Sequence, residues 1–217
     1  MKLELQDVDF ADGGQLALVQ AAASASDDLL QALHPGLSFD AAVAASKERW
    51  LSVYGFAPWH HKKVVDADTG KIVAVSRWMV EEAQLPFLPP RTGIPAGAVI
   101  PPRQRPATLD LDLAMRFGEQ AGAVFDRCVQ ERPNMTLDMW SVLPEYRESD
   151  AANLMLKWAT KFADEQSIVC YLESGPAESS IYLKHGFESF DTIAVSTRGG
   201  DVTREALVRD PKARTDI

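Results

Sequence analysis

The chain has 217 residues, 46% of them hydrophobic, enough for one sizeable core in a single domain spanning 1–217. Asp and Glu number 31 against 22 Lys and Arg, a formal net charge of −9, which argues against a nucleic-acid partner because such a surface needs clustered cations. No apolar run approaches the roughly 20 residues a bilayer span requires, so no membrane partner is expected. The acidity keeps the chain soluble and is also compatible with an amine drawn to an acidic cleft. The two cysteines, Cys128 and Cys170, suit a reducing compartment and lie in no metal-ligand spacing, so no metal is expected. Met1-Lys2-Leu3-Glu4-Leu5 alternates apolar and polar residues without the hydrophobic segment of a secretion signal. The expected setting is cytoplasmic.

In chain order, residues 3–10 open with the alternation of a half-buried strand, Leu3 and Leu5 inward, and Ala11-Asp12-Gly13-Gly14 break it. Residues 15–23 and 27–33 read as short helices, the second capped by Ser26 or Asp27, and His34-Pro35-Gly36 stops them. Residues 38–54 predict one helix, capped by Ser38, with Phe39, Val43, Trp50 and Leu51 as its apolar stripe. Two strand patterns, 60–66 and 71–81, flank the Asp66-Ala67-Asp68-Thr69-Gly70 turn and predict a hairpin. His60 and His61, at the start of its first strand, read as exposed rather than catalytic.

Residues 86–106 hold seven prolines, two glycines and three arginines, which excludes a regular helix or central strand. They predict an exposed loop bordering the cleft, either a lid or a mobile insertion. Residues 108–130 have helical periodicity through Leu109, Leu113, Met115, Phe117, Ala121, Val124, Phe125 and Val129, with Gly118 and Gly122 as close-packing points or breaks. A strand over 135–142 follows, then a polar loop and an amphipathic helix carrying Leu154, Met155, Trp158, Ala159 and Phe162 on one face. Residues 168–172 are a nearly all-apolar strand in which Cys170 reads as a small hydrophobe. A short helix over 176–184 ends at Gly186, strands over 187–195 and 202–208 follow, and 209–217 form a fraying tail. The order predicts an α/β protein: a mixed sheet with helices on both faces.

Strand, tight polar loop, helix is an arrangement that presents unpaired N–H groups and a positive dipole end to an anion. Here Val142-Leu143-Pro144 is followed by Arg147, Asp150 and Ala152. Further on stand Tyr171-Leu172-Glu173-Ser174-Gly175-Pro176-Ala177 and Ile181-Tyr182-Leu183-Lys184-His185-Gly186-Phe187. At these residues the sequence resembles the GNAT superfamily of acyl-CoA-dependent N-acetyltransferases, most closely its fungal-type members. Gly70-Lys71-Ile72-Val73-Ala74 fits that family's hairpin. The pyrophosphate-loop pattern, Arg/Gln-x-x-Gly-x-Gly/Ala, is degenerate here: Asp150 stands in place of its first Gly.

The resemblance implies acetyl transfer from acetyl-CoA to a primary amine of a small molecule. It also implies cofactor contacts at Val142, Arg147, Glu148, Ser149, Asp150, Ala151 and Ala152, and Tyr182 as the general acid that protonates the thiolate. N-terminal helices would form one wall of the acceptor pocket.

Each residue has a second reading. Arg147 either binds phosphate or pairs with Glu145 or Glu148 on the surface; Tyr182 is an acid or an aromatic packed beside Phe187. Asp138, on the same alternate face as Trp140 and Val142, and Glu173 are the candidate bases, with burial raising the pKa of a carboxylate in a strand, or else structural acceptors. Asp150 adds a like charge near the pyrophosphate, costing on the order of 1–3 kcal/mol at about 4–6 Å. Either CoA binds weakly, or that carboxylate turns away, or the scaffold has lost acyl-CoA use and serves a non-acetylating reaction in specialised metabolism. A homodimer is left open.

Overall fold

The computed structural model describes residues 2–212. Seven strands form one sheet in the order β1-β2-β3-β4-β5-β7-β6. β1 is Leu3–Asp7, β2 Trp59–Asp66, β3 Lys71–Val80, β4 Asn134–Val142, β5 Val169–Ser174, β6 Glu188–Thr197 and β7 Gly200–Arg209. Neighbours are antiparallel except β4 and β5. The expected hairpin forms, with Gly70 at φ +73° in its turn, a conformation that costs glycine nothing.

The helices are α1 (Gly13–Ser24), α2 (Asp28–Leu33), α3 (Phe39–Glu48), α4 (Trp50–Tyr54), α5 (Leu111–Val129), α6 (Ala151–Gln166) and α7 (Ser179–Lys184). Gly13-Gly14 open α1 instead of breaking the chain after β1, and a short 3-10 turn at Phe10–Asp12 makes the transition. Asp27 caps α2 by accepting from the Leu30 amide at 2.9 Å, and Ser38 caps α3 through the Ala41 amide at 3.3 Å. The single helix expected over 38–54 is two, parted at Arg49. The break lets Trp50 and Tyr54 turn onto the sheet while Phe39, placed in the expected stripe, stays 48% exposed.

Cross-strand side chains define the two faces. His60 stacks on Trp158 of α6 at 5.2 Å, whereas its neighbour His61 meets Trp50 and Tyr54 of α4 at 5.7 and 5.9 Å. One face is therefore covered by α6 and α7, the other by α1–α4 and, over β5–β7, by α5. Both histidines are buried, contrary to the expectation of exposure, because β1 covers the edge of β2 and a helix covers each face.

Gly118 and Gly122 neither break α5 nor pack closely: a Cβ at either would meet nothing within 4 Å. Met115, expected in the stripe, is 59% exposed.

Residues 86–106 are tied down at several points. Arg91 Nη2 donates to the Phe56, Ala57 and Trp59 carbonyls at 2.8, 2.6 and 2.7 Å. The Thr92 carbonyl accepts from the Tyr54 hydroxyl at 3.0 Å, and Ile94 packs on the main core.

At the C-terminal end the strand runs through Arg209, so the tail expected from 209 starts later. Arg209 is buried and makes a two-pronged ion pair with Asp164 at 2.8 and 2.7 Å. Residues 213–217 of that tail lie outside the described residues.

Candidate functional site

The site begins where β4 and β5 part. Their parallel pairing covers three residue pairs, Asn134 with Val169, Met135 with Cys170 and Thr136 with Tyr171. Beyond Thr136 the strands diverge, and each arm keeps its ladder to its other neighbour, β3 or β7. A cleft of about 620 Å³ enters this fork. Trp140 and Val142 line it from β4, Gly175 to Glu178 from the end of β5, and Arg147, Glu148 and Ala152 from the loop ahead of α6. The α1–α2 turn with Ser26, Asp27 and Asp28 closes the remaining side.

That turn is pinned from two directions. Arg204 of β7, itself buried, pairs with both Asp27 and Asp28. Arg147 Nη2 donates to the Ser26 hydroxyl at 2.8 Å. Arg147 therefore makes neither of the surface ion pairs considered for it; Glu145 pairs with Lys71 at 2.9 Å instead. Glu178 opens onto the same cleft, and its carboxyl is shifted up because the walls desolvate it and Asp27 repels its charge, with Arg147 and Arg204 opposing.

The loop ahead of α6 is a short 3-10 turn, Pro144–Tyr146, followed by four residues that hand the chain to the helix. The Arg147 and Ser149 amides are used within the turn, and the Ala151 amide donates to the Ser149 hydroxyl at 3.3 Å. Among the described residues the amides of Glu148, Asp150, Ala152 and Asn153 have no acceptor in the chain. Two of these are the first orphan donors of a 16-residue helix, where the helix dipole favours an anion. Ala152, 5% exposed, lets the helix start lie close to whatever enters.

Asp150 does not occupy those donors. It sits at the N-cap position without a side-chain cap, and its carboxylate accepts from Asn153 Nδ2 at 2.9 Å. Asn153 Oδ1 in turn meets His185 Nε2 at 2.9 Å. Of the three consequences considered for Asp150, the structure has the carboxylate bonded to the Asn153 side chain and to no helix amide.

Tyr182 is on α7, 2% exposed, and packed edge-on against Trp140 at 5.8 Å and Phe187 at 6.0 Å. The residues of α7 that line the cleft are its neighbours Ser180 and Ile181; Trp140 is the part of this aromatic cluster that faces the cleft. Burial raises the Tyr182 phenol pKa and the Glu178 carboxylate adds to it, against a hydrogen bond from Ser174. The phenol is protonated at neutral pH.

Asp138 departs from the expected alternation. β3 and β4 slip by one between Arg77 and Trp78, so that Arg77 faces Met139 and Trp78 faces Leu137, leaving Asp138 as the extra residue of a bulge. Leu137 and Trp140, three apart, both pack on the α6-side cluster, which an unbroken strand does not allow. Asp138 thus points to the α1–α5 face, opposite Trp140. Its carboxylate is exposed and held by Arg77 at 2.5 Å rather than set among apolar neighbours. Glu173, two residues beyond Tyr171, lies on that same face on the other arm of the fork. It is half-buried, accepts from the Tyr171 hydroxyl at 3.1 Å, and burial pushes its pKa up against that bond and Arg204. The two candidate bases flank the fork on one face.

Val142, Arg147, Glu148 and Ala152 from the sequence-derived cofactor set line the cleft; Ser149, Asp150 and Ala151 shape the loop behind them. Sequence reasoning missed Ser26, Asp27, Asp28 and Arg204 as wall residues. Asp27 carried a visible cap signal, but nothing local tied it to Arg204. Cys170 is fully buried with its thiol pushed up to about 12, as a small hydrophobe would be. Among the described residues no group of His, Cys, Asp or Glu could hold a metal ion, and no helix is long and apolar enough to cross a membrane.

No protein-family model and no curated protein sequence matches the chain. Solved structures do. "Histone acetyltransferase HPA2 and related acetyltransferase" from Corynebacterium glutamicum is 17% identical, covers 100% of both chains and superposes with a TM-score of 0.64. The C-terminal condensation domain of Ebony, in complex with β-alanyl-dopamine, is 12% identical over 97% of this chain and 99% of that one, with a TM-score of 0.67. The PaiA N-acetyltransferase from Thermoplasma acidophilum, in complex with coenzyme A, is 11% identical over 97% and 99%, with a TM-score of 0.50. The mixed sheet, its fork and its helices are the GNAT acyltransferase fold.

Proposed function

We propose that the chain is an N-acyltransferase that moves an acetyl group from acetyl-CoA to a primary amine of a small molecule. The observation that carries this is the set of unpaired amides at Glu148, Asp150, Ala152 and Asn153 at the mouth of a forked sheet. A diphosphate resting there would satisfy backbone donors that the chain leaves unpaired, with the helix dipole behind them. Arg147 would exchange its Ser26 partner for a phosphate oxygen. The pantetheine arm would run along Val142 and Trp140 into the fork, where the diverging arm of β4 presents backbone groups that β5 does not use.

The acceptor approaches from the α1–α5 face. Its ammonium loses a proton to Glu173, whose raised pKa suits it to accept one near neutral pH. The amine nitrogen then attacks the thioester carbonyl carbon, the C–S bond breaks, and the leaving thiolate takes a proton from Tyr182 once Trp140 has swung aside; the second proton, lost from nitrogen as the amide forms, returns through solvent to the Tyr182 phenolate. Most of the rate enhancement comes from holding the two partners together.

A second reading is favoured by the carboxylates of Glu148 and Glu178 that line the cleft, and by the likeness to a condensation domain. In it the scaffold has lost acyl-CoA use and serves a non-acetylating reaction. Acetyl-CoA at about 100 times its Kd adds roughly 2.7 kcal/mol of stability, about 5–10 °C in melting temperature for a domain of this size. A shift of that size together with amine-dependent thiol release supports the first reading; no shift with either acetyl-CoA or free CoA leaves the second.

A further inference from the structure

The face of the sheet opposite α6 carries a cluster of guanidinium groups that acetyl-CoA binding does not use. Arg77 of β3 lies over the Trp59 ring at 4.0 Å, and Arg103, delivered by the proline-rich segment, lies over the same ring at 4.7 Å. Arg103 also covers Phe56 at 4.2 Å, and Phe56 and Trp59 meet edge to face at 5.1 Å. Two aromatic rings thus orient the Arg103 side chain, while its guanidinium stays exposed and, among the described residues, donates to no carboxylate or carbonyl. Arg49 adds a third guanidinium close enough to feel Arg77, with its Nε bonded to the Ala45 carbonyl.

Asp138 is seated in this cluster and neutralises Arg77, and Glu48 lies close enough to act on Arg49. The indole N–H of Trp59 is buried and has no acceptor. In a chain with a net charge of −9, a fixed cation beside an unsatisfied donor is a local excess of the opposite sign. Buried donors without partners cost free energy, and an entering anion removes that cost. Asp138 offsets Arg77 and Glu48 acts on Arg49, while Arg103 keeps a guanidinium whose flat fork suits the planar oxygens of a carboxylate. The cluster sits on the bulge of β4, on the face from which the amine approaches.

We propose that the acceptor is an amino acid or amino-acid-like amine, whose carboxylate is held by Arg103 and the Trp59 indole N–H beside the Arg77–Asp138 pair. This rests on the acyl-transfer reading for its turnover, and on the geometry alone for its binding. Arg103 is a specificity residue; it touches none of the reacting atoms.

The test compares each of the common L-amino acids with its carboxamide, in the wild type and in Arg103→Ala. Arg103 is exposed on a loop, so the substitution spares the core. Binding is read by calorimetry without thioester, and turnover by thiol release with acetyl-CoA. The proposal expects at least one acid to bind and turn over about tenfold better than its amide, and Arg103→Ala to remove that preference while acetyl-CoA affinity stays unchanged. Acids that bind and lose affinity in Arg103→Ala, with no acetyl-CoA binding, keep the anion site and defeat the acyltransferase reading. The proposal is overturned if no acid binds, if acids and amides behave alike, or if Arg103→Ala weakens both equally.

Discussion

Replacing Asp150 by Asn tests the proposed anion site ahead of α6 without disturbing the loop. The asparagine oxygen can still accept from Asn153 Nδ2, so the contact seen at 2.9 Å survives and only the charge goes. A diphosphate on the Ala152 and Asn153 amides would lie about 6–8 Å from this side chain, and with an effective dielectric of about 40 the repulsion is roughly 1 kcal/mol per unit charge. Asp150 is exposed, so solvent screens part of it. The net expectation is about 1–2 kcal/mol, or about 5- to 30-fold tighter acetyl-CoA binding in the variant. Calorimetric titration at low and high salt reads both the gain and its origin, because the Debye length falls from about 10 Å at 0.1 M to about 3 Å at 1 M. The gap between wild type and variant should narrow as salt rises. Equal affinities at low salt, or weaker binding by the variant, would refute the placement of the anion on these amides.

Tyr182→Phe should lower kcat by about 100-fold or more with acetyl-CoA affinity within about threefold of wild type, as expected when a general acid is removed; an unchanged kcat assigns Tyr182 to packing with Trp140 and Phe187 alone. Arg209→Ala leaves Asp164 without its two-pronged partner in a partly buried site, which should cost roughly 2–4 kcal/mol in urea unfolding; a loss under about 0.5 kcal/mol would mark the pair as an ordinary surface contact. The His60 ring 3.4 Å away, opposed by burial and helped by Lys62, brings the Asp7 carboxyl down from 3.8 to about 2. A depressed folded-state pKa stabilises above the unfolded value and is lost as pH falls through the folded one. Asp7→Asn should therefore be less stable than wild type at pH 6, with the two curves converging between about pH 4 and pH 2; a constant gap across that window contradicts the assignment.

Local chemistry made much of the scaffold readable. The hairpin at Asp66 to Gly70 follows from strand periodicity on either side of an Asp- and Gly-rich turn, and the helix at Ala151 from its apolar spacing. What sequence could not show depends on distant segments. The fork exists because pairing between 134–136 and 169–171 stops, a fact about two strands and not about either. The cleft wall at Ser26 and Asp27 is held by Arg147 and Arg204, 121 and 177 residues away. Burial of His60 likewise comes from Trp158, far along the chain, whereas Trp50 and Tyr54 that cover His61 precede it closely and reach it only because α4 folds back on β2. The bulge at Asp138 left one local trace: Leu137 and Trp140 are large apolar residues at odd spacing in a strand. The alternation read through them put Asp138 on the wrong face.

The amides that await an anion can be watched directly. In an amide-resolved NMR titration with acetyl-CoA, the largest shifts should fall on Glu148, Asp150, Ala152 and Asn153, with smaller ones along Trp140 and Val142. Saturable shifts confined to other parts of the chain, or none at millimolar ligand, would contradict an anion site on these amides.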